Sequence, residues 1–227
     1  MKAGIPALKA KGSKVHLSYG ILGLEPLDGS GNYGTEDMYH AEQLVNRIVN
    51  NVYDWDLDGV DIFTIGQWDW SFSKNGQNVG FHYYVFKNLR HALPAEKTIS
   101  YTISRNSYNC PQYEGQNMNH YTQWHPMEEV ISSAHRYIDY VNIEIKPECE
   151  EWTVDFMTNE LGVPAYKIGW LLEFSSGMNL NEDIEERMVF LVNSIKQRGL
   201  KGLSLFTVNK EHNHYRGEFV KQIAQNL

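Results

Sequence analysis

The 227-residue sequence predicts an α/β fold in which helices cover a parallel sheet. Two observations carry this reading. Apolar runs of strand length recur along the whole chain, and amphipathic stretches of helical period separate them. The runs are also near-continuously apolar, the mark of strands covered on both faces. Repeated strand–helix units make either a closed barrel or an open doubly wound sheet, and alternation alone does not separate the two.

The first strand is expected at Lys14–Gly20. A loop with three glycines, Leu24–Gly34, follows it and lacks the G-K-[ST] of a phosphate loop. A helix over Glu36–Val52 leads to the second strand, Gly59–Ile65, and a helix over Phe81–Leu93 to the third, Thr98–Ser104. Met127–Tyr137 is the next helix, before a strand at Tyr140–Ile145. Glu151–Leu161 is helical by pattern, and Lys167–Phe174 reads as the fifth strand. The helix Asp183–Gly199 has Asn181 or Asp183 as its cap and Gly199 as its stop. Gly202–Val208 is the sixth strand, and a helix over Tyr215–Gln225 follows.

Composition bounds the partners. A hydrophobic fraction of 42% suffices for one sizeable core, and the expected organisation is a single domain over residues 1–227. The net charge of −8, with no basic run, argues against nucleic acid and anionic membranes. No apolar stretch approaches the ~20 residues of a membrane span. Met1–Leu8 lacks the apolar core of a secretory signal, and the compartment stays open, with secretion remaining an option if a segment precedes Met1. Cys110 and Cys149 fit a disulfide or two thiols equally well. His212-Asn213-His214 has a metal-site spacing, but no Cys or carboxylate pattern accompanies it, so neither metal nor cofactor is expected.

The stretch Leu57-Asp58-Gly59-Val60-Asp61-Ile62-Phe63-Thr64-Ile65 resembles the signature D-G-x-D-x-D-x-E of glycoside hydrolase family 18, the chitinases and endo-β-N-acetylglucosaminidases. Asp58, Gly59 and Asp61 fill the first three fixed positions. Phe63 and Ile65 stand where the family carries an Asp and the acid Glu. Leu8–Gly20 is similar to the family's third strand, which ends in S-x-G-G, with Ile21 in place of the second glycine. Asp139–Pro147 resembles the sixth strand. There Glu144 stands where Met is common, Lys146 replaces the Tyr that contacts the reacting acetamide, and Pro147 replaces an Asp. Gly202–Phe206 resembles the last strand, with Phe206 where the family places a Trp under the sugar.

The resemblance implies a (β/α)8 TIM barrel of the family 18 type, of which this chain holds strands 3 to 8. Strand starts recur about every 37 residues, so two further units would bring the chain to about 300, the size of an eight-stranded barrel. Either residues precede Met1, or the sheet is open. An open sheet would leave unpaired edges through which copies associate.

The resemblance also implies a lost reaction. In this family the substrate's own acetamide attacks the anomeric carbon, and the protein supplies a general acid and an orienting carboxylate. Phe63 and Ile65 supply neither. Asp61 then needs a new partner, for which Lys146 is a candidate. Ligand contacts are expected from Asp61, Glu144 and Lys146 on strands that form the site, and from Gln67, Trp68 and Trp70 on the loop after the second strand. Tyr19, Tyr101, Trp170 and Phe206 lie near strand ends, where rings could stack on sugar. Glu144 and Glu173 are the carboxylates available as a relocated acid.

Three functions follow as expectations. The leading one is a catalytically inactive, lectin-like binder of N-acetylglucosamine-containing glycans. The others are a non-binding structural, storage or interaction protein, and a glycosidase whose acid has moved to Glu144 or Glu173.

Overall fold

The computed structural model describes residues 4–22, 35–65, 77–103, 126–144, 150–173 and 183–206. The chain divides into two compact units, Met1–Asp139 and Tyr140–Leu227. All six expected strands form, each starting within two residues of its expected position. The last expected helix, Tyr215–Gln225, lies outside the described residues.

In the first unit, β1 (His16–Leu22), β2 (Gly59–Ile65) and β3 (Thr98–Ile103) run parallel with β2 in the middle. Helices α2 (Thr35–Asp54), α3 (Gln77–Ala92) and α4 (Pro126–Ala134) connect and follow them. α2 buries Ala41, Val45, Ile48 and Val52, a spacing of four, three and four that keeps one helix face apolar. α3 buries Phe81, Val85 and Leu89 in the same way, along with Phe86. On the sheet, Val60, Ile62, Ile99, Tyr101 and Ile103 are each at most 2% exposed. Burying one such side chain fully contributes about 1.5–3 kcal/mol, so this layer dominates the unit's stability.

Several boundaries differ from expectation for local reasons. The first strand starts at His16 rather than Lys14, because the Val15 N–H goes to the Asp58 carboxylate at 2.8 Å instead of to a neighbouring strand. α1 (Ile5–Lys9), which the pattern did not suggest, precedes it. Its Lys9 reaches the end of α2, donating to the Asp56 carbonyl at 2.8 Å and its carboxylate at 2.7 Å. Asp56 sits at φ 50°, and the Leu57 N–H returns to the Val52 carbonyl at 2.8 Å, closing α2 with a left-handed residue. α4 starts on Pro126, whose missing N–H costs nothing in a first turn, and tightens to a 3₁₀ turn over His135–Tyr137.

In the second unit, β4 (Tyr140–Glu144), β5 (Ile168–Glu173) and β6 (Gly202–Phe206) are parallel with β5 in the middle. The helix expected over Glu151–Leu161 is α5 (Glu150–Asp155) followed by a π turn at Phe156–Glu160. Thr158 Oγ1 donates to the carbonyls of Val154 at 2.9 Å and Asp155 at 3.2 Å, competing with the backbone for those acceptors. α6 (Asp183–Arg198) ends as its sequence predicts: Gly199 adopts φ 64° and the Leu200 N–H donates to the Ile195 carbonyl at 3.0 Å. Strand–helix alternation with parallel strands matches part of a (β/α)8-type fold.

Candidate functional site

Side chains alternate across a strand, so each strand sends one parity toward its helices and the other away from them. In the first unit Val60, Ile62, Ile99 and Tyr101 face the helices. The opposite face carries Ser18, Asp61 and Ser100 in one register row, and Gly20, Phe63 and Thr102 in the next.

Asp61 is the centre of that face. Its Oδ1 accepts from Ser100 Oγ at 2.7 Å and Thr102 Oγ1 at 2.8 Å, and its Oδ2 from Ser18 Oγ at 2.9 Å. Hydroxyls on both flanking strands therefore supply the partners that the sequence led us to seek in Lys146, which lies outside the described residues. A carboxylate offers about four lone-pair directions, so one is left for anything else. Three charge-assisted bonds offset much of the cost of holding this carboxylate on the sheet. Phe63 follows on the same face, half-buried, with Gly20 beside it in register.

His16 lies at the start of the same parity, opposite Gly59. Burial pushes its imidazole below the ordinary value, against the upward pull of Asp61 and Asp58. Gly59 is required where it stands. A Cβ there would lie 2.3 Å from the Thr98 carbonyl oxygen, so only glycine lets β2 approach β3 this closely.

Asp58, the first position of the motif, works at the opposite end of β2 from the Phe63 row. Burial pushes its carboxyl up, but the Val15 N–H and the Lys9 ammonium, 3.4 Å away, outweigh this and hold it below the ordinary value. Asp139 repeats the device. Its carboxylate accepts from the Ile99 N–H at 2.7 Å, its own N–H donates to the Ile99 carbonyl at 2.8 Å, and Arg90 pairs with it. Both aspartates staple the entry of the preceding strand.

In the second unit, the face away from the helices carries Asn142 and Glu144. Ser204 Oγ donates to Asn142 Oδ1 at 2.9 Å across β5, where a Cβ on Gly169 would come within 3.1 Å of the same oxygen. Glu144, two residues on, is buried at 8% exposure with Leu171 beside it in register.

Three aromatics expected at the ligand face are placed elsewhere. Tyr19 accepts a hydrogen bond from Asn51 of α2. Tyr101 is fully buried, its ring edge-on to Phe86 of α3 at 5.2 Å. Trp170 is fully buried, its indole N–H donating to Ser194 of α6 at 3.1 Å. All three have helix-facing parity; Tyr101 and Trp170 belong to the core, and Tyr19 is half-buried. Gln67, Trp68, Trp70, Cys110, Lys146, Cys149, His212 and His214 lie outside the described residues, as do the side chains of Ile65, Glu173 and Phe206. The residues that sequence reasoning missed are Ser18, Ser100 and Thr102. Their signal was present: Thr98, Ser100 and Thr102 alternate with Ile99, Tyr101 and Ile103.

Among the described residues, no cluster of three or more His, Cys, Asp or Glu is arranged to hold a metal ion. No described helix is long and apolar enough to cross a membrane.

No family model and no curated protein matches the sequence. Solved structures do match. A GH18 chitinase from Pseudoalteromonas aurantia superposes with a TM-score of 0.68 at 20% identity, over 100% of this chain and 81% of that one. A chitinase from Rhizomucor miehei gives 0.66 at 15% identity, over 100% and 86%. An endo-β-N-acetylglucosaminidase from Cordyceps militaris gives 0.60 at 16% identity, over 91% and 64%. At these identities the likeness establishes the fold: this chain folds as those glycosidases do.

Proposed function

We propose that the chain is a chitinase-like protein of the family 18 type that binds an N-acetylglucosamine-containing glycan without cleaving it. Its six strands then correspond to the third through eighth strands of the family's barrel. The observation that carries the reading is the row Gly20–Phe63–Thr102 beside Asp61. The motif's next carboxylate position holds a ring, on the face where Asp61 is already engaged by three hydroxyls. A phenyl ring has no proton to donate and no charge to orient an acetamide. General acid catalysis is typically worth ~10²–10⁴-fold, and the electrostatic loss adds to that. The same ring, with glycine beside it, offers an apolar platform of the kind on which a pyranose stacks.

A fluorogenic chitobioside assay together with a glycan array tests the proposal. The expected result is binding to chitin oligosaccharides or N-glycan cores with no turnover. Turnover would overturn the non-enzymatic part, and an empty array the binding part.

Glu144 supports a second reading, a hydrolase with a relocated acid. It is a buried carboxyl on the face of β4 away from the helices, and a general acid needs a carboxyl placed within reach of the scissile bond. Turnover in the wild type that disappears in Glu144→Gln would favour this reading.

A further inference from the structure

Tyr83 on α3 and Tyr137 in the 3₁₀ turn after α4 hold their rings edge to face. The ring centres are 5.7 Å apart with 71° between the planes, and the hydroxyl oxygens are 3.3 Å apart. Both side chains are half-buried, not sealed in the core. Arg136 donates from Nη2 to the Tyr83 hydroxyl at 3.0 Å, and its guanidinium lies 4.9 Å from the Tyr137 ring centre and 5.9 Å from that of Tyr83. Two elements far apart in the sequence thus meet through a pair of phenols held in contact.

A phenol that loses one electron and its hydroxyl proton becomes a radical, with the unpaired electron shared between the oxygen and the ring carbons ortho to it. Those carbons adjoin the carbon that bears the oxygen, so close hydroxyls bring the two reactive edges together. The rings of a biaryl are twisted about the bond that joins them, and the 71° between these planes suits such a product. Tyr83 is the easier of the two to oxidise. The hydrogen bond with the Tyr137 hydroxyl, and then that from Arg136, holds its hydroxyl below the ordinary phenol value, and a phenolate gives up an electron more readily than a phenol. Exposure alone would favour Tyr53 and Tyr166, at 54% and 65%. Contact favours Tyr83 and Tyr137, because a partner already in place reacts as if at very high concentration.

We propose that Tyr83 and Tyr137 form a modification site, at which a peroxidase with hydrogen peroxide joins the two rings through their ortho carbons into an intrachain dityrosine. Each tyrosine gives one electron and one proton, and one peroxide takes up both of each to become two waters. The two radicals form one carbon–carbon bond. Each coupled carbon then releases its hydrogen to solvent as a proton while its ring oxygen regains one, which restores both phenols. The product ties α3 to the turn after α4.

Treating the intact chain with a haem peroxidase and limiting hydrogen peroxide tests this. The expected product is a single chain lighter by two hydrogen atoms, with dityrosine fluorescence and a proteolytic map that joins the peptides holding Tyr83 and Tyr137. Tyr53→Phe should leave the yield unchanged. Tyr83→Phe should lower it by about tenfold or more, as should Tyr137→Phe if the first variant misfolds by near-UV circular dichroism. A wild type that forms no dityrosine overturns the proposal. So does a link that maps to other tyrosines, joins only separate chains, or survives these two substitutions.

Discussion

The Thr102 hydroxyl donates to Oδ1 of Asp61 at 2.8 Å from the neighbouring strand, and this bond shows what Asp61 does in the described structure. With Ser100 and Ser18 it ties β1, β2 and β3 together through one carboxylate. Asp61→Ala would remove the acceptor that three hydroxyls share on a half-buried face, and removing a partner from such groups costs about 1–3 kcal/mol. Asp61→Asn should cost less, because one of its atoms still accepts and the Ser18 hydroxyl can turn to accept from the other. Urea melts should therefore rank wild type above Asn and Asn above Ala. Equal midpoints for all three would mean that the hydroxyl cage contributes nothing.

The order of the strands and of the helices between them was legible because burial imposes periodicity, and all six strands among the described residues were expected. What the sequence reading missed was parity. Tyr101 and Trp170 were chosen for standing near strand ends, yet a strand turns every second side chain toward its helices. In Thr98–Ile103 the polar residues hold one parity and Tyr101 sides with Ile99 and Ile103. In β5, Gly169 marks the face crossed by the Asn142–Ser204 bond, which leaves Trp170 for α6. The Asp58 staple was hidden for a different reason. A side chain accepting a backbone N–H from a residue 43 positions away leaves no local pattern to read.

Gly59→Ala should be severely destabilising. The added carbon would stand 2.3 Å from the Thr98 carbonyl oxygen, and the obstacle is backbone, not the yielding end of a side chain. Overpacking typically costs ~1–3 kcal/mol and occasionally more, and this contact belongs at the upper end. Poor soluble yield or a melting temperature lowered by roughly 5–10 °C is expected. An unchanged melting temperature would contradict the close approach of β2 and β3.

Acid should weaken the fold in two steps. His16 has a depressed folded value, so the unfolded chain takes up its proton first, and stability falls as pH drops below 6.5 toward that lower value. Asp58 is also depressed, so its contribution is complete above 3.8 and is lost as pH falls below that. Both steps have the same sign, with stability rising as pH rises. Denaturant midpoints measured across pH 3–8 should show both, and His16→Gln should remove the upper one alone. A midpoint that does not change between pH 7 and 5 in the wild type would rule out a buried neutral His16.

Placing carboxylates at the two positions where the family 18 resemblance expects them should not confer hydrolysis. Phe63→Asp with Ile65→Glu sets two new charges on the strand that already carries Asp61, whose hydroxyl donors are committed. Like charges this close raise at least one pKa and cost stability. A double variant less stable than the wild type, with no measurable chitobioside turnover, is expected. Turnover approaching that of a working chitinase would show that the rest of a catalytic site is intact.

Phe63 and Trp170 separate binding from folding. If the face beside Asp61 holds sugar, Phe63→Ala removes the stacking platform and should weaken oligosaccharide affinity by roughly tenfold, the value of about 1.4 kcal/mol. Trp170→Phe removes a buried hydrogen bond to Ser194 on the other side of its sheet and should cost about 1 kcal/mol of stability, leaving affinity unchanged. Isothermal titration and urea melts on both variants give the two readouts independently. The reverse pattern, with affinity lost in Trp170→Phe and kept in Phe63→Ala, would move the sugar site away from the Asp61 face.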